Sequence, residues 1–227
     1  MSVLLCACAG TPVTRHAIPP LENQPAYPVE RADLLEISPD MSRFVERTLE
    51  REDLGGGRAW SLAYATLDPY ILEFEYDPQV TLAAADAFEQ RTGNCLTFSN
   101  LFIAMARSAG MESWYREVEV LPEWSKVNDT MLVSMHVNAV VRDRGREFVV
   151  DVSGREREHN ERVRRLSDEE AEAQFYGNLG VDALIENDLP RAYAYFALAL
   201  DVRPGLPYIW SNLGVVFRRN DQTEEAK

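Results

Sequence analysis

The chain has one cysteine outside its first ten residues, Cys95, and two residues that could work with it lie further along. These are His136 and Asp151, which follow in that order. Histidine can take a proton from a thiol and return it to a leaving group, and aspartate can hold the imidazole ring in the useful tautomer. Together the three residue types predict thiol-dependent acyl chemistry on an amide.

The residues after Cys95 have the spacing of a helix. Apolar side chains recur at helical intervals from Leu96 to Ala109, and Gly110 is a typical stop signal. Cys95 is therefore expected at or just before a helix N-terminus. Unpaired N–H groups and the helix dipole favour a thiolate there.

A hairpin is predicted to bring His136 and Asp151 together. The β-branched and apolar runs 131–141 and 148–152 are separated by the turn signal 142–146. If the loop has an even number of residues, two residues whose numbers add up to an odd total share one face of the pair. His136 and Asp151 meet that condition, whereas an odd-numbered loop would put them on opposite faces.

Three motifs in this order resemble the transglutaminase-like core of the papain-like cysteine enzymes. They are Gly93-Asn94-Cys95 with the helix up to Gly110, His136-Val137-Asn138-Ala139-Val140, and Val149-Val150-Asp151. The resemblance covers about residues 40–155. It implies that Cys95 is the nucleophile, His136 the base and Asp151 the residue that orients the histidine. The fold it implies is α+β, with helices packed on an antiparallel sheet.

An acyl-transfer site also needs donors for the oxyanion. The backbone N–H of Cys95 is a natural first donor. In the family that the chain resembles, the second donor lies upstream of the cysteine, and Gln90 and Asn94 are the candidates here.

Each of the three residues taken alone has a structural explanation. A lone cysteine is more often a small core residue, a lone histidine a hydrogen-bonded strand residue, and a lone aspartate a turn cap. A non-catalytic scaffold is therefore one alternative, and a transglutaminase or other acyltransferase is another. We favour peptide hydrolysis with a peptide or protein substrate, because the sequence shows neither an acyl-acceptor site nor a motif for a thioester cofactor.

Charge and ligand supply exclude other classes. The net charge of −14 makes a nucleic-acid partner a poor expectation, because phosphate contacts need cationic surface. A structural zinc site would need about four ligands. Outside the N-terminus only Cys95, His136 and His159 are available. We expect no metal and no cofactor.

The N-terminus contains a possible anchor. The segment Leu5-Cys6-Ala7-Cys8 resembles a bacterial lipobox, which implies cleavage before Cys8, lipidation of its thiol, membrane contact through that lipid and a periplasmic location. Because a basic region before it is missing, a cytoplasmic chain with two chance cysteines is the alternative. Residues 9–30 hold five prolines. Residues 1–30 are thus predicted to be an anchor and an extended tether.

The C-terminus contains an internal repeat. Asn178-Leu179-Gly180-Val181 recurs 34 residues later as Asn212-Leu213-Gly214-Val215, which resembles tetratricopeptide repeats. Residues 166–227 are predicted to hold one such repeat and an incomplete second, either recruiting a protein partner or covering the catalytic domain.

Residues 31–165 remain as the catalytic domain. Within it Ser38 should cap a helix, 58–67 should be helical, 70–76 should be a strand or an extended linker, and Thr81 should cap a helix that runs to residue 91. The charge-rich segment 154–165 is predicted to be a solvated loop, and Ser167 to open a capping box.

Overall fold

The computed structural model describes residues 17–50, 57–127, 130–153 and 162–227. These ranges contain helices and strands in a mixed order, which confirms the α+β class. The helices are α1 Pro39–Glu50, α2 Arg58–Leu67, α3 Ala84–Gln90, α4 Cys95–Ser108, α5 Asp168–Ile185, α6 Leu189–Val202 and α7 Pro207–Arg219; the strands are β1 Glu75–Tyr76, β2 Thr92–Gly93, β3 Glu112–Val127, β4 Thr130–Asp143, β5 Arg146–Val150 and β6 Arg162–Arg165.

Four strands form an antiparallel sheet in the order β5-β4-β3-β6. The β4–β5 hairpin turns through Arg144 and Gly145, which both have positive φ angles of 49° and 78°. Such a two-residue turn matches the right-handed twist of the strands. Asp143 pairs with Arg146, so the even-numbered loop expected from the sequence is confirmed.

Helix α4 lies at the centre of the core. Its residues 96–106 are all buried. The apolar residues among them belong to the same cluster as Val137, Ala139 and Val141, which point to one face of β4. This packing leaves the alternate residues of β4, which include His136, on the other face of the strand.

Helix α5 is joined to the rest of the chain by ion pairs in its first two turns. The pairs are Asp168 with Arg107 of α4, Glu170 with Arg164 of β6, and Glu172 with Arg31 near the N-terminus. The capping box at Ser167 is confirmed, because Ser167 and Glu170 exchange hydrogen bonds. Three acidic residues at this end also suit the helix dipole.

Small residues allow the C-terminal helices to approach closely. A methyl group added at Gly180 of α5 would lie only 2.6 Å from Phe196 of α6, and one at Gly177 would lie 2.6 Å from Ile209 of α7. At these two positions α5 therefore packs directly against α6 and α7, with no space for a larger residue. Their assignment to tetratricopeptide repeats stays a prediction.

The proline-rich segment is bound to the C-terminal helices. Residues 17–32, called the N-terminal strap below, follow the surface of α6 and the ends of α5 and α7. Tyr193 donates a hydrogen bond to the carbonyl of Pro19, and the Tyr176 hydroxyl accepts one from the N–H of Ala32. The described part contains no helix or strand, and it turns at residues 22–24. The described part of the segment is not a free tether, however, because its main chain has partners on the helices.

Two local expectations are wrong. Residues 162–165 are strand β6, because Arg162–Arg165 pair with the outer edge of β3, whereas the sequence predicted a loop. Thr81 does not cap α3, whose N-cap is Ala83; the Thr81 hydroxyl accepts a hydrogen bond from Asn94 instead.

Ser38 caps α1 through its hydroxyl, and α2 has the predicted bounds. Most of 70–76 is irregular, and only Glu75–Tyr76 is strand. None of the helices in the described ranges is long and apolar enough to cross a bilayer. Cys8, the first part of the tether and His159 lie outside the described residues.

Candidate active site

Cys95 is the first residue of α4, as the sequence predicts. The residue before it, Asn94, is the N-cap, and its side-chain oxygen accepts a hydrogen bond from the N–H of Thr97 at 2.9 Å. Residues 96–106 of the helix are buried, whereas Cys95 is partly exposed. The thiol is therefore held at the positive end of a buried helix and remains open to a substrate.

The loop before Cys95 is held by a network of hydrogen bonds. The N–H of Asn94 donates to the carbonyl of Val80 at 2.8 Å, and the Thr97 hydroxyl donates to the same carbonyl at 3.1 Å. Gly93 has a φ of 154°, and a methyl group there would lie 2.2 Å from the Thr97 side chain. Glycine is required at this position because the cap brings Thr97 against the backbone.

His136 and Asp151 are neighbours across the β4–β5 hairpin. Ala139 pairs with Val150, so the next positions place Asp151 opposite Asn138 and diagonal to His136. The His136 Nε2 and the Asp151 Oδ2 are 2.6 Å apart. This contact is the one that the parity of the loop predicts.

Cys95 also acts on the same imidazole, as one of the groups that raise the pKa of His136. Since Nε2 faces Asp151, Nδ1 is the ring nitrogen left for the thiol. The structure thus places His136 in contact with Asp151 and close to Cys95. The His136 and Asp151 side chains are only 12% and 22% exposed, which limits competition from water.

The surroundings of His136 favour its protonated form. Burial lowers the pKa of His136, but hydrogen bonds to Asp151 and Cys95, together with the charges of those groups, more than offset it and raise the pKa to about 9. At neutral pH the ring is therefore an imidazolium, which is the form that pairs with a thiolate.

Asp151 is held as a carboxylate. Burial alone would raise the pKa of Asp151, but hydrogen bonds from His136 and from both the backbone and the hydroxyl of Ser153 lower it well below its usual value. The Ser153 N–H and hydroxyl lie 2.9 Å and 2.7 Å from Asp151 Oδ1. Four donors around the two oxygens, with Asn138 as the fourth at 3.3 Å, suit an ionised acid.

Ser153 and Asn138 were not among the residues predicted for the site. Ser153 lies two residues after Asp151. This is the usual spacing of a turn in which an aspartate side chain accepts a hydrogen bond from the backbone N–H two residues later. Asn138 lies two residues after His136 and therefore on the same face of β4. Both signals are present in the sequence, but they also fit ordinary turn and strand residues.

The structure gives the three oxyanion candidates different surroundings. The N–H of Cys95 lies in the first turn of α4, where a helix provides no acceptor. The Asn94 side chain is paired at both ends, with the N–H of Thr97 and the hydroxyl of Thr81. Gln90 is an exposed residue at the end of α3. The Cys95 N–H is thus the best-placed donor of the three, and its role stays a prediction.

Residues 55–167 match the sequence model of the transglutaminase-like superfamily. The chain contains a transglutaminase-like domain. The matched range includes Cys95, His136 and Asp151, as well as the whole four-stranded sheet and α4. Domains of this superfamily typically carry out cysteine-based acyl chemistry.

No curated protein and no solved structure matches the chain significantly. The substrate of this transglutaminase-like domain therefore has to be argued from its own residues. In the part of the chain that the structure describes, no group of three or more His, Cys, Asp or Glu residues is arranged to hold a metal ion.

Proposed function

We propose that the transglutaminase-like domain is a thiol hydrolase of peptide amides, with Cys95 as nucleophile, His136 as acid and base, and Asp151 as the residue that orients the ring. The observation that carries the proposal is the 2.6 Å contact between His136 Nε2 and Asp151 Oδ2, on a ring whose pKa Cys95 also helps to raise. An imidazole fixed in this way is what a thiol needs for activation.

The reaction needs two proton movements at His136. The Cys95 thiolate attacks the carbonyl carbon and forms a tetrahedral intermediate, whose negative oxygen is stabilised by the N–H of Cys95. When the carbon–nitrogen bond breaks, the imidazolium gives its proton to the leaving amine, and an acyl thioester remains on Cys95. The neutral imidazole then takes a proton from water, and the hydroxide releases the acid and regenerates the thiolate.

Hydrolysis is favoured over transfer to an amine for two reasons. Cys95 is partly exposed, so water can reach the thioester without a conformational change. The sequence also offers no recognisable site for an acyl acceptor. A transglutaminase or another acyltransferase would use the same three residues and differ only in what resolves the thioester.

Alkylation of Cys95 tests the activation. Trypsin cleaves after Arg91 and Arg107, so mass spectrometry separates the peptide that contains Cys95 from the peptide with the two N-terminal cysteines. We expect iodoacetamide to label Cys95 rapidly at about pH 6, where an ordinary thiol with a pKa near 8.5 reacts slowly. Labelling at this pH should fall at least roughly 10-fold in His136→Ala. Slow labelling that is the same in wild type and variant would contradict the proposal.

The ratio of acid to new amide among the products distinguishes a hydrolase from a transferase. A blocked peptide amide is incubated with the protein in the presence and absence of a primary amine, and both acid and new amide are quantified. Free acid as the main product supports hydrolysis. New amide as the main product at millimolar amine would replace hydrolysis with transfer while leaving the roles of Cys95 and His136 intact.

A second candidate function is peptide binding by the C-terminal helices. Gln222 is 8% exposed, and its side-chain amide makes two hydrogen bonds to the N-terminal strap, one from the N–H of Glu22 and one to the carbonyl of Pro20. Asn220 adds a bond to the carbonyl of Glu22. These contacts involve main-chain atoms, so other extended segments could make them too, as expected of repeats that recruit a protein partner.

A peptide with the sequence of residues 17–32 tests this second candidate. In a full-length chain whose residues 19–24 are replaced by glycine and serine, the labelled peptide should bind, and Gln222→Leu in the same background should abolish binding. Binding that is absent, or that survives Gln222→Leu, would exclude Gln222 as part of a peptide site. The helices would then serve to cover the transglutaminase-like domain.

We also propose that Cys8 is lipidated and anchors the protein at the periplasmic face of a membrane. The support is the lipobox-like segment Leu5-Cys6-Ala7-Cys8. Metabolic labelling with palmitate should be lost in Cys8→Ala and kept in Cys6→Ala. Equal or absent labelling in both variants would favour the cytoplasmic alternative.

A further inference from the structure

A buried asparagine lies beside the carboxylate of the site, on the side opposite to Ser153. Asn138 is 3% exposed, and its Nδ2 lies 3.3 Å from Asp151 Oδ2, the same oxygen that contacts His136. The other end of this amide, Oδ1, accepts a hydrogen bond from Arg116 Nε at 3.0 Å. Arg116, Asn138 and Asp151 thus form a line of hydrogen bonds that ends at the imidazole.

The order of these contacts follows from the sheet. Arg116 of β3 is directly opposite Asn138 of β4, and the register of β4 with β5 places Asp151 opposite Asn138 on its other side. Side chains that are directly opposite on one face are about 5 Å apart at Cβ, which is within reach of an amide. The three residues therefore belong to one row across three positions of the sheet.

The chemistry of the three groups allows only one orientation of the amide. An arginine can only donate hydrogen bonds and a carboxylate can only accept them, while an asparagine has a donor end and an acceptor end. With Arg116 on one side, the oxygen of Asn138 must face the guanidinium and the NH₂ must face Asp151. Without Arg116, only Asp151 would hold the amide, and its NH₂ group would be directed at the carboxylate less firmly.

We propose that Arg116 and Asn138 are positioning residues of the transglutaminase-like domain: Arg116 holds the oxygen end of the Asn138 amide, and Asn138 keeps the Asp151 carboxylate directed at His136. This inference rests on the proposed function, because it concerns the same three reacting groups. It adds a second support to Asp151, on the oxygen that Ser153 does not contact.

Several charged or titratable groups among the described residues lie beside this row. Asp151 and Cys95 act on the His136 ring, the former from the end of β5 and the latter from α4. Arg165 of β6 lies opposite Arg116, and its guanidinium is placed 4.5 Å over the ring of Trp114. Arg116 is therefore the cation that is connected to Asp151, through its hydrogen bond to Asn138.

Two variants separate orientation from charge. Asn138→Leu keeps the number and branching of the side-chain heavy atoms and removes both hydrogen bonds, whereas Arg116→Gln removes the charge and the guanidinium hydrogen bond to Asn138 Oδ1. Arg142→Gln is the matched control, because Arg142 is on the same face of β4 and pairs with Glu112 and Glu147 instead. All three are compared for unfolding midpoint first, so that loss of fold is recognised.

The main measurement is an NMR titration of the His136 imidazole, assigned with His136→Gln. In the wild type the midpoint is expected near the pKa of about 9 given above. Asn138→Leu and Arg116→Gln should lower it by about one pH unit, because Asp151 is then held less firmly against the ring, and Arg142→Gln should leave it unchanged. Loss of the Arg116 charge alone would raise the midpoint, because a nearby cation disfavours the imidazolium, so a rise in Arg116→Gln would overturn its positioning role. An unchanged midpoint in folded Asn138→Leu would overturn the proposal, as would an equal shift in Arg142→Gln.

Alkylation of Cys95 distinguishes failure of this inference from failure of the proposed function. If the wild-type thiol is labelled rapidly at about pH 6 and both variants behave like the wild type, the function stands and the positioning role is wrong. If the wild-type thiol is itself slow, the proposed function is wrong, and the positioning role falls with it. We expect rapid wild-type labelling and about a 10-fold loss in each variant.

Discussion

The raised pKa of His136 makes the stability of the fold depend on pH. In the unfolded chain the imidazole has a pKa of 6.5, and in the folded protein the pKa rises to about 9. The folded state therefore binds the proton more tightly. The contribution of this group to stability is complete below about pH 6.5 and is lost as the pH rises through 9. The difference between the two values corresponds to about 3 kcal/mol of unfolding free energy.

The lowered pKa of Asp151 reflects the same Asp151–His136 ion pair, so its free energy is not added to the contribution calculated for His136. Its contribution is present above the ordinary pKa of 3.8 and is lost only as the pH falls below that value. The two windows do not overlap, so a measurement from about pH 6 to pH 10 follows the protonation of His136 and leaves Asp151 ionised throughout.

Urea unfolding in the Cys95→Ser background measures the effect. Serine removes the Cys95 thiol, so that His136 is compared without its sulfur neighbour. It also removes the charge of Cys95 from the surroundings of His136, so the expected contribution falls to about 2 kcal/mol. We compare Cys95→Ser with Cys95→Ser/His136→Gln at intervals from about pH 6 to pH 10, with tryptophan fluorescence as the signal.

The free energy of unfolding of Cys95→Ser should exceed that of the double variant by about 2 kcal/mol more at pH 6 than at pH 10. The change should be centred between about pH 6.5 and pH 9. A difference that stays constant within about 0.5 kcal/mol over this range would refute the reasoning, because it would mean that His136 has the same proton affinity in the folded and unfolded chain.

Three further substitutions test the packing and the caps by urea unfolding. Gly180→Ala should lower the free energy of unfolding by about 1–3 kcal/mol, because the new methyl group meets the Phe196 ring. Gly205→Ala is the control and should be nearly neutral, because no atom lies within 4 Å of the new methyl group. Equal effects of the two substitutions would contradict this packing. Asn94→Ala should cost about 1–2 kcal/mol through loss of the α4 cap and should also slow Cys95 alkylation, and unchanged stability would refute the cap. Asp143→Ala should cost about 1 kcal/mol, because its carboxylate accepts a hydrogen bond from the first turn of α2; a stability within error of the wild type would argue against that contact.

Several parts of the site could be predicted because short-range rules determine them. The helix that begins at Cys95 follows from the apolar spacing between Leu96 and Ala109 and from the stop signal at Gly110. The common face of His136 and Asp151 follows from the parity of a two-residue turn. In each case the decisive information lies within about 15 residues of the chain. The capping box at Ser167 is of the same kind.

Other features could not be predicted because they depend on partners far away in the chain. Strand β6 consists of Arg162, Val163, Arg164 and Arg165, which have no strand pattern of their own and become a strand by pairing with the free edge of β3. The Thr81 hydroxyl is used by Asn94, which lies 13 positions later, and so it is not available as a cap. The local sequence pattern around a residue does not show which of two possible hydrogen-bond partners will lie nearer in the folded protein.

The sequence by itself determined the three candidate residues of the site, their order, the helix start at Cys95 and the shared face of His136 and Asp151. Periodicity and turn parity act over a few residues and need no knowledge of the rest of the chain. Only the tertiary structure decided how these groups are supported. The row from Arg116 through Asn138 to Asp151 depends on the register of three strands, and the attachment of the N-terminal strap to Gln222 joins positions 200 residues apart. Such contacts form because burial leaves each donor with one acceptor in reach, and which acceptor it is depends on the packing of the whole fold.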